Sequence, residues 1–168
     1  REYIQPDGSS NWYTMGVYRV NTDKEEGEGY NILISVQDIT QQKLASAKIA
    51  YERNLSESII NSLPGIFYLA NTEGRLIRWN KNYETVSGYS AEELAAMRVA
   101  EFVEEKERSL LMNKKAQAMH EGSAAANLNF RCKNGSTLPY FFTSWFTTYE
   151  NKPALLGVGM DMTDRVKA

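Results

Sequence analysis

From Gln41 to Leu63 the chain runs without Gly or Pro, through the strong helix formers Gln41, Gln42, Lys43, Leu44, Ala45, Ala47, Lys48 and Ala50. Apolar residues fall at Leu44, Tyr51, Leu55, Ile59 and Leu63, spaced seven and then four apart, which makes one stripe along an amphipathic helix. Thr40 stands where an N-cap belongs, and Pro64-Gly65 ends the helix. The pattern then changes. Ile66 to Ala70 reads as a short apolar strand, Asn71 to Gly74 as a turn, and Arg75 to Trp79 as an alternating strand, together a hairpin. Asn80 to Tyr89 and Ala91 to Met97 read as short helices, the second opened by a Ser90/Glu93 capping box. Glu104 to His120 reads as a longer amphipathic helix with Leu110, Leu111, Met112, Ala116 and Met119 on its apolar side. Asn127 to Lys133, Ser136 to Tyr149 and Lys152 to Asp161 read as three closing strands. The order β-β-α-α-α-β-β-β predicts an α+β fold, an antiparallel sheet with its helices on one face.

Part of this pattern occurs twice. Pro6-Asp7-Gly8-Ser9-Ser10 precedes the β-prone run Trp12 to Val20, and Lys133-Asn134-Gly135-Ser136-Thr137 precedes a similar run, Tyr140 to Tyr149. Asp-Gly and Asn-Gly between such runs are hairpin signals. Ser35-Val36-Gln37-Asp38-Ile39-Thr40 likewise matches Val158-Gly159-Met160-Asp161-Met162-Thr163. Gly8 and Gly135 are 127 positions apart and Asp38 and Asp161 are 123 apart; the difference falls in the charged turn Asn21 to Gly29, where loops tolerate insertion. The expected organisation is therefore tandem. Residues 1–43 hold only the last strands of a first unit, 44–62 a linker helix, and 63–168 a complete second unit. Alone, the early strands present an open edge and an uncovered apolar face. The linker helix serves either as a connector packed on its neighbours or as a parallel two-chain coiled coil that carries signal between domains.

Composition narrows the class. The chain has 168 residues, 42% hydrophobic and 24% charged, which is globular. A formal net charge of -2 argues against nucleic acid as a partner, since phosphate binding needs a clustered basic excess. One cysteine, Cys132, leaves no disulfide framework or cysteine-rich zinc site and fits a reducing, cytoplasmic compartment. The longest stretch without charge, Asn134 to Tyr149, carries Gly135 and Pro139 and is no spanning helix, so no membrane contact is expected within this chain. A start at Arg1 rather than Met suggests a piece of a longer protein, in which a membrane anchor could lie elsewhere.

The chain resembles the PAS family of signalling sensors. The resemblance is carried by Leu63-Pro64-Gly65-Ile66-Phe67, by Asn71-Thr72-Glu73-Gly74-Arg75-Leu76-Ile77-Arg78-Trp79-Asn80, by Val86-Ser87-Gly88-Tyr89-Ser90-Ala91-Glu92-Glu93-Leu94, by Asn134-Gly135 and by Gly157-Val158-Gly159-Met160-Asp161-Met162-Thr163-Asp164-Arg165. It spans about Glu57 to the end, while the first unit matches only the family's last three strands. It implies a five-stranded antiparallel sheet cupping a small pocket under the helices. It also implies a flanking helix that forms a homodimer, and an output enzyme in cis, such as a diguanylate cyclase or a histidine kinase. None of the catalytic motifs of those effectors occurs here, so the chain itself is expected not to be an enzyme.

Candidate pocket residues are Phe67, Leu69, Trp79, Tyr83, Phe102, Leu111, Phe130, Tyr140, Phe142 and Val158, with Asn80, Tyr83, Arg131, Tyr140 and Ser144 as the polar groups available. The same aromatics can equally fill a core, and Asn80 also suits the strand-to-helix turn. The ligand stays open. Haem needs an axial ligand, and the single histidine, His120, ends the long helix and does not sit where haem-binding members of the family carry theirs. A photoactive flavin domain of this family needs an Asn-Cys-Arg step, whereas Cys132 falls in the strand Phe130-Arg131-Cys132-Lys133 and reads as a small packing residue. Haem and flavin are thus disfavoured. Glu104 to Arg108 reads as a solvated charged face. Asp38, Thr40, Asp161 and Thr163 close the last strand of each unit and open a helix, as caps or as signal-coupling junctions. Two rival readings are a ligand-free scaffold for dimerisation and a redox or light sensor with a bound prosthetic group.

Overall fold

Asp7-Gly8-Ser9 and Asn134-Gly135-Ser136 make the same turn. Gly8 and Gly135 both take φ of 84°, in the left-handed region that glycine enters without a Cβ penalty. Asp7 Oδ1 accepts from the Ser9 N–H at 2.9 Å, as Asn134 Oδ1 accepts from the Ser136 N–H at 2.9 Å. The computed structural model describes residues 1–21 and 30–166. The turn assigned to the length difference between the copies, Asn21 to Gly29, lies apart from Asn21 outside the described residues.

The chain divides into two units, Arg1–Ser56 and Glu57–Ala168. The first holds β1 (Glu2–Ile4), β2 (Ser10–Asn21) and β3 (Tyr30–Asp38), a three-stranded antiparallel sheet in the order β1-β2-β3. Side chains on both of its faces are exposed, among them Met15, Val17, Tyr18, Ile32, Leu33 and Ile34. Helix α1 runs Thr40–Ser62 and buries none of its residues. Its stripe is open to solvent: Leu44 58%, Tyr51 68%, Leu55 48% and Ile59 54% exposed. The Thr40 hydroxyl does not cap it. That oxygen accepts from the Trp12 N–H at 2.8 Å, and the Thr40 N–H is taken instead by Asp38 Oδ1 at 2.8 Å.

The second unit has β4 (Ile66–Asn71), β5 (Leu76–Trp79), α2 (Lys81–Ser87), α3 (Ala91–Ala96), 3-10 turns at Val99–Phe102 and Glu105–Glu107, α4 (Arg108–Glu121), β6 (Ser123–Arg131), β7 (Thr137–Tyr149), β8 (Lys152–Asp161) and the short α5 (Thr163–Val166). The sheet is antiparallel in the order β5-β4-β8-β7-β6, the α+β arrangement expected. The Ser90/Glu93 capping box is present. Strand β6 begins at Ser123, earlier than the sequence suggests, because Ser123 pairs with Trp145 and the alanine run Ala124–Ala126 with Ser144 to Phe142 of β7; tertiary pairing overrides alanine's helix propensity.

The register repeats the first unit. Tyr140 stands opposite Asp161 as Tyr13 stands opposite Asp38. The Met162 N–H donates to the Pro139 carbonyl and the Ile39 N–H to the Trp12 carbonyl, both at 2.8 Å.

Two elements depart from the sequence reading. Glu107 is not simply solvated: its carboxylate accepts from the Asn129 N–H and Nδ2, both at 2.9 Å, tying the 3-10 turn to β6. On α4 the apolar set Leu110, Met112 and Met119 is 41%, 52% and 42% exposed. The stripe facing the sheet is Leu111, Lys114, Lys115 and Ala118, at i, i+3, i+4 and i+7, with Ala118 buried against Ala124 and Leu155.

Candidate functional site

A cavity of about 80 Å³ lies between the sheet and the helices. One side is a cluster of rings. Tyr83 meets Phe102 edge-on at 5.2 Å and Phe130 edge-on at 5.5 Å, and Phe102 stacks on Phe130 at 5.6 Å. Tyr68 meets Tyr83 edge-on at 6.1 Å. Such arrangements match the positive ring edge to the negative ring face. Small residues keep space open: Ala70 on β4 and Ala124 and Ala126 on β6 line the cavity, with Leu128, Leu155 and Ser144.

Strand alternation decides which candidates reach it. Tyr83, Phe102, Leu111, Phe130 and Phe142 line the cavity. Phe67 and Leu69 do not; Tyr68 and Ala70 do, one position along the same strand. Successive strand residues point to opposite faces, so Phe67 and Leu69, with Val158 paired opposite Phe67, belong to the other face of the sheet. All of Ile66 to Ala70 is buried, so the apolar run carries no alternation from which a face could be read. Trp79 packs on the core and donates from Nε1 to Glu84 at 3.3 Å, and Tyr140 packs against Phe130 at 5.3 Å; neither lines the cavity. Arg131 is exposed and donates to the Glu101 carbonyl at 3.1 Å.

Asn80 is wholly buried and holds the β5–α2 junction rather than facing the cavity. Its Oδ1 accepts from the Phe67 N–H at 3.0 Å and the Tyr83 N–H at 3.1 Å, and its Nδ2 donates to the Gly65 carbonyl at 2.9 Å. His120 is exposed on the last turn of α4, Cys132 is buried in the core cluster, and neither lines the cavity.

The sequence reading missed the charged part of the lining. Arg98, Lys114, Lys115 and Glu73 all contribute to it. Lys115 Nζ donates to the Thr72 carbonyl and Lys114 Nζ to Gln117 Oε1 at 3.0 Å. The positions that signal it are the i, i+3, i+4, i+7 set on α4, obscured because Leu110 and Met119 lie on the solvent side of that helix. Burial pushes the Tyr68 phenol up to about 12 and the Tyr83 phenol well above its ordinary value, so both remain neutral hydroxyls at the cavity wall.

At the junction closing β8, Asp161 Oδ1 accepts from the Thr163 N–H at 2.7 Å and from the Thr163 hydroxyl. The matching Asp38 carboxyl is held below its ordinary range by hydrogen bonding to Thr40.

The profile of the PAS domain family matches residues 64–164, and the chain belongs to that family. It is 30% identical over 80 residues to the sensor histidine kinase TmoS of Ectopseudomonas mendocina, a match covering 46% of this chain and 8% of that protein. Among solved structures it is similar to the PAS domain of an HTR-like protein from Haloarcula marismortui, with a TM-score of 0.64, 13% identity and coverage of 71% of this chain and 98% of that one. A PAS domain of a Colwellia psychrerythraea protein aligns with a TM-score of 0.61, 20% identity and coverage of 70% and 99%. Among the described residues no helix is long and apolar enough to cross a membrane.

Proposed function

We propose that this chain is the sensory and dimerisation module of a larger bacterial signalling protein, and that its second unit binds a small molecule in the cavity beneath α4. The observation carrying this is the cavity itself: about 80 Å³ left unfilled beside the aromatic cluster, with a few polar groups in its lining. Residues 1–43 are read as the closing strands of a preceding PAS unit, supported by the matched turns and register. The exposed stripe on α1 supports a homodimer through that helix. Ligand-driven motion of the sheet passes through Asp38, Thr40, Asp161 and Thr163 to the helices that follow each unit. The effector in cis is a histidine kinase, which the likeness to TmoS supports, or a diguanylate cyclase, and the module works in the cytoplasm.

The ligand reading is tested by denaturing the purified chain and identifying released small molecules by mass spectrometry. Ala126→Phe, which fills the cavity, should abolish that release while the fold persists. An empty wild-type protein whose parent signals normally with the filled cavity would leave a ligand-free scaffold. A visible absorbance band would favour a prosthetic group instead. The dimer is tested by sedimentation: Leu55→Glu should yield monomer, and an unchanged mass would remove α1 as the interface.

A further inference from the structure

The lysines of α4 face the wrong way for a surface helix. Leu110 and Met119 lie toward solvent and Met112 at the cavity's open edge, while Lys114 and Lys115 are half-buried on the stripe that faces the cavity. A third cation, Arg98, lines the same space. These groups gather near the β4–β5 turn: Lys115 donates to the Thr72 carbonyl, and next to Arg98 the Val99 N–H donates to the Gly74 carbonyl at 2.8 Å. Glu73 is the one acidic residue of the lining, against three basic ones. Each ammonium carries three donors and spends one on a protein acceptor. The ring cluster of Tyr83, Phe102 and Phe130 lines the same space.

We propose that the cavity takes a small organic anion, a carboxylate with an apolar body, whose charged end lies on Lys114 and Lys115 and whose body lies against the rings. This rests on the ligand-binding reading above. A neutral apolar ligand would leave two ammonium groups half-desolvated and poorly paired, which disfavours it. A fully hydrated anion would forgo the aromatic wall. At about 80 Å³ the space holds roughly six waters by the measure of one probe sphere each, which suits a short-chain or single-ring acid rather than a nucleotide. The plain alternative is that the lysine stems cover apolar surface while their heads reach water.

The test is a titration of the 168-residue chain with benzoate and hexanoate, and with benzamide and hexanamide as neutral partners of the same shape. Amide resonances of residues 111–118 and 124–130 report binding. The carboxylates should bind at least about tenfold tighter than the amides. Lys114→Gln/Lys115→Gln should abolish that preference and leave the amides unchanged, and Glu73→Gln should strengthen carboxylate binding. Should the double variant not fold, Arg98→Gln and Glu73→Gln give opposite shifts in the same assay. Equal binding of carboxylates and amides, with no effect of the lysine variants, overturns the anion assignment and leaves the cavity as a ligand site. Silence of both series also overturns it, and the released-ligand experiment then judges the ligand reading separately.

Discussion

The Asp161 carboxylate accepts the Thr163 backbone N–H at 2.7 Å, where β8 ends and α5 begins. The contact lies on the surface, so Asp161→Ala should leave the fold intact, with the thermal midpoint within about 5 °C of the parent. If the junction couples sheet to helix, the same substitution should silence output in the full-length protein. Normal output from that variant would reduce the pair to a cap.

Asn80→Ala is expected to be costly for a reason the surface pair lacks. It strands the buried N–H of Phe67 and the Gly65 carbonyl, each of which bears a desolvation penalty once unpaired, while the Tyr83 N–H keeps the Asn80 backbone carbonyl at 3.0 Å. Urea denaturation should register a loss of about 3 kcal/mol. A loss near zero would mean that water replaces the side chain.

Gly65→Ala should destabilise as well, because its Cβ would overlap the carbonyl oxygen of Gly159. That obstacle is backbone, which cannot rotate aside, so about 2–3 kcal/mol is expected. In Gly157→Ala the obstacle is the Tyr68 ring, and a smaller loss is expected where that ring can turn. Comparing the two midpoints checks the order.

High pH should unfold the second unit. Tyr68 is pushed up to about 12 and Tyr83 well above its ordinary value by burial, while an unfolded tyrosine ionises near 10. The native state therefore holds protons that the unfolded state releases, so stability is steady below about pH 10 and falls as pH rises through 12. Urea midpoints measured from pH 9 to 12 should decline, and the decline should be shallower in Tyr83→Phe. A flat profile in the parent would mean that the phenols are solvated.

Local chemistry reads well from sequence. The turns at Gly8 and Gly135, the Ser90/Glu93 box and the hairpin Ile66–Trp79 each depend on residues close along the chain, where backbone sterics and short hydrogen bonds decide the outcome. The side of a doubly buried strand does not read this way. Phe67 and Tyr68 are both large, aromatic and buried, and only the pairing of β4 with β8 and the helices above turns Tyr68 to the cavity and Phe67 to the other face. Nor does the inward turn of Lys114 and Lys115, since the composition of α4 alone points its apolar residues to the core. What faces the cavity is set by how α4 docks, with Ala118 seated on Ala124 and Leu155, and that contact joins parts of the chain that meet only when the sheet has formed.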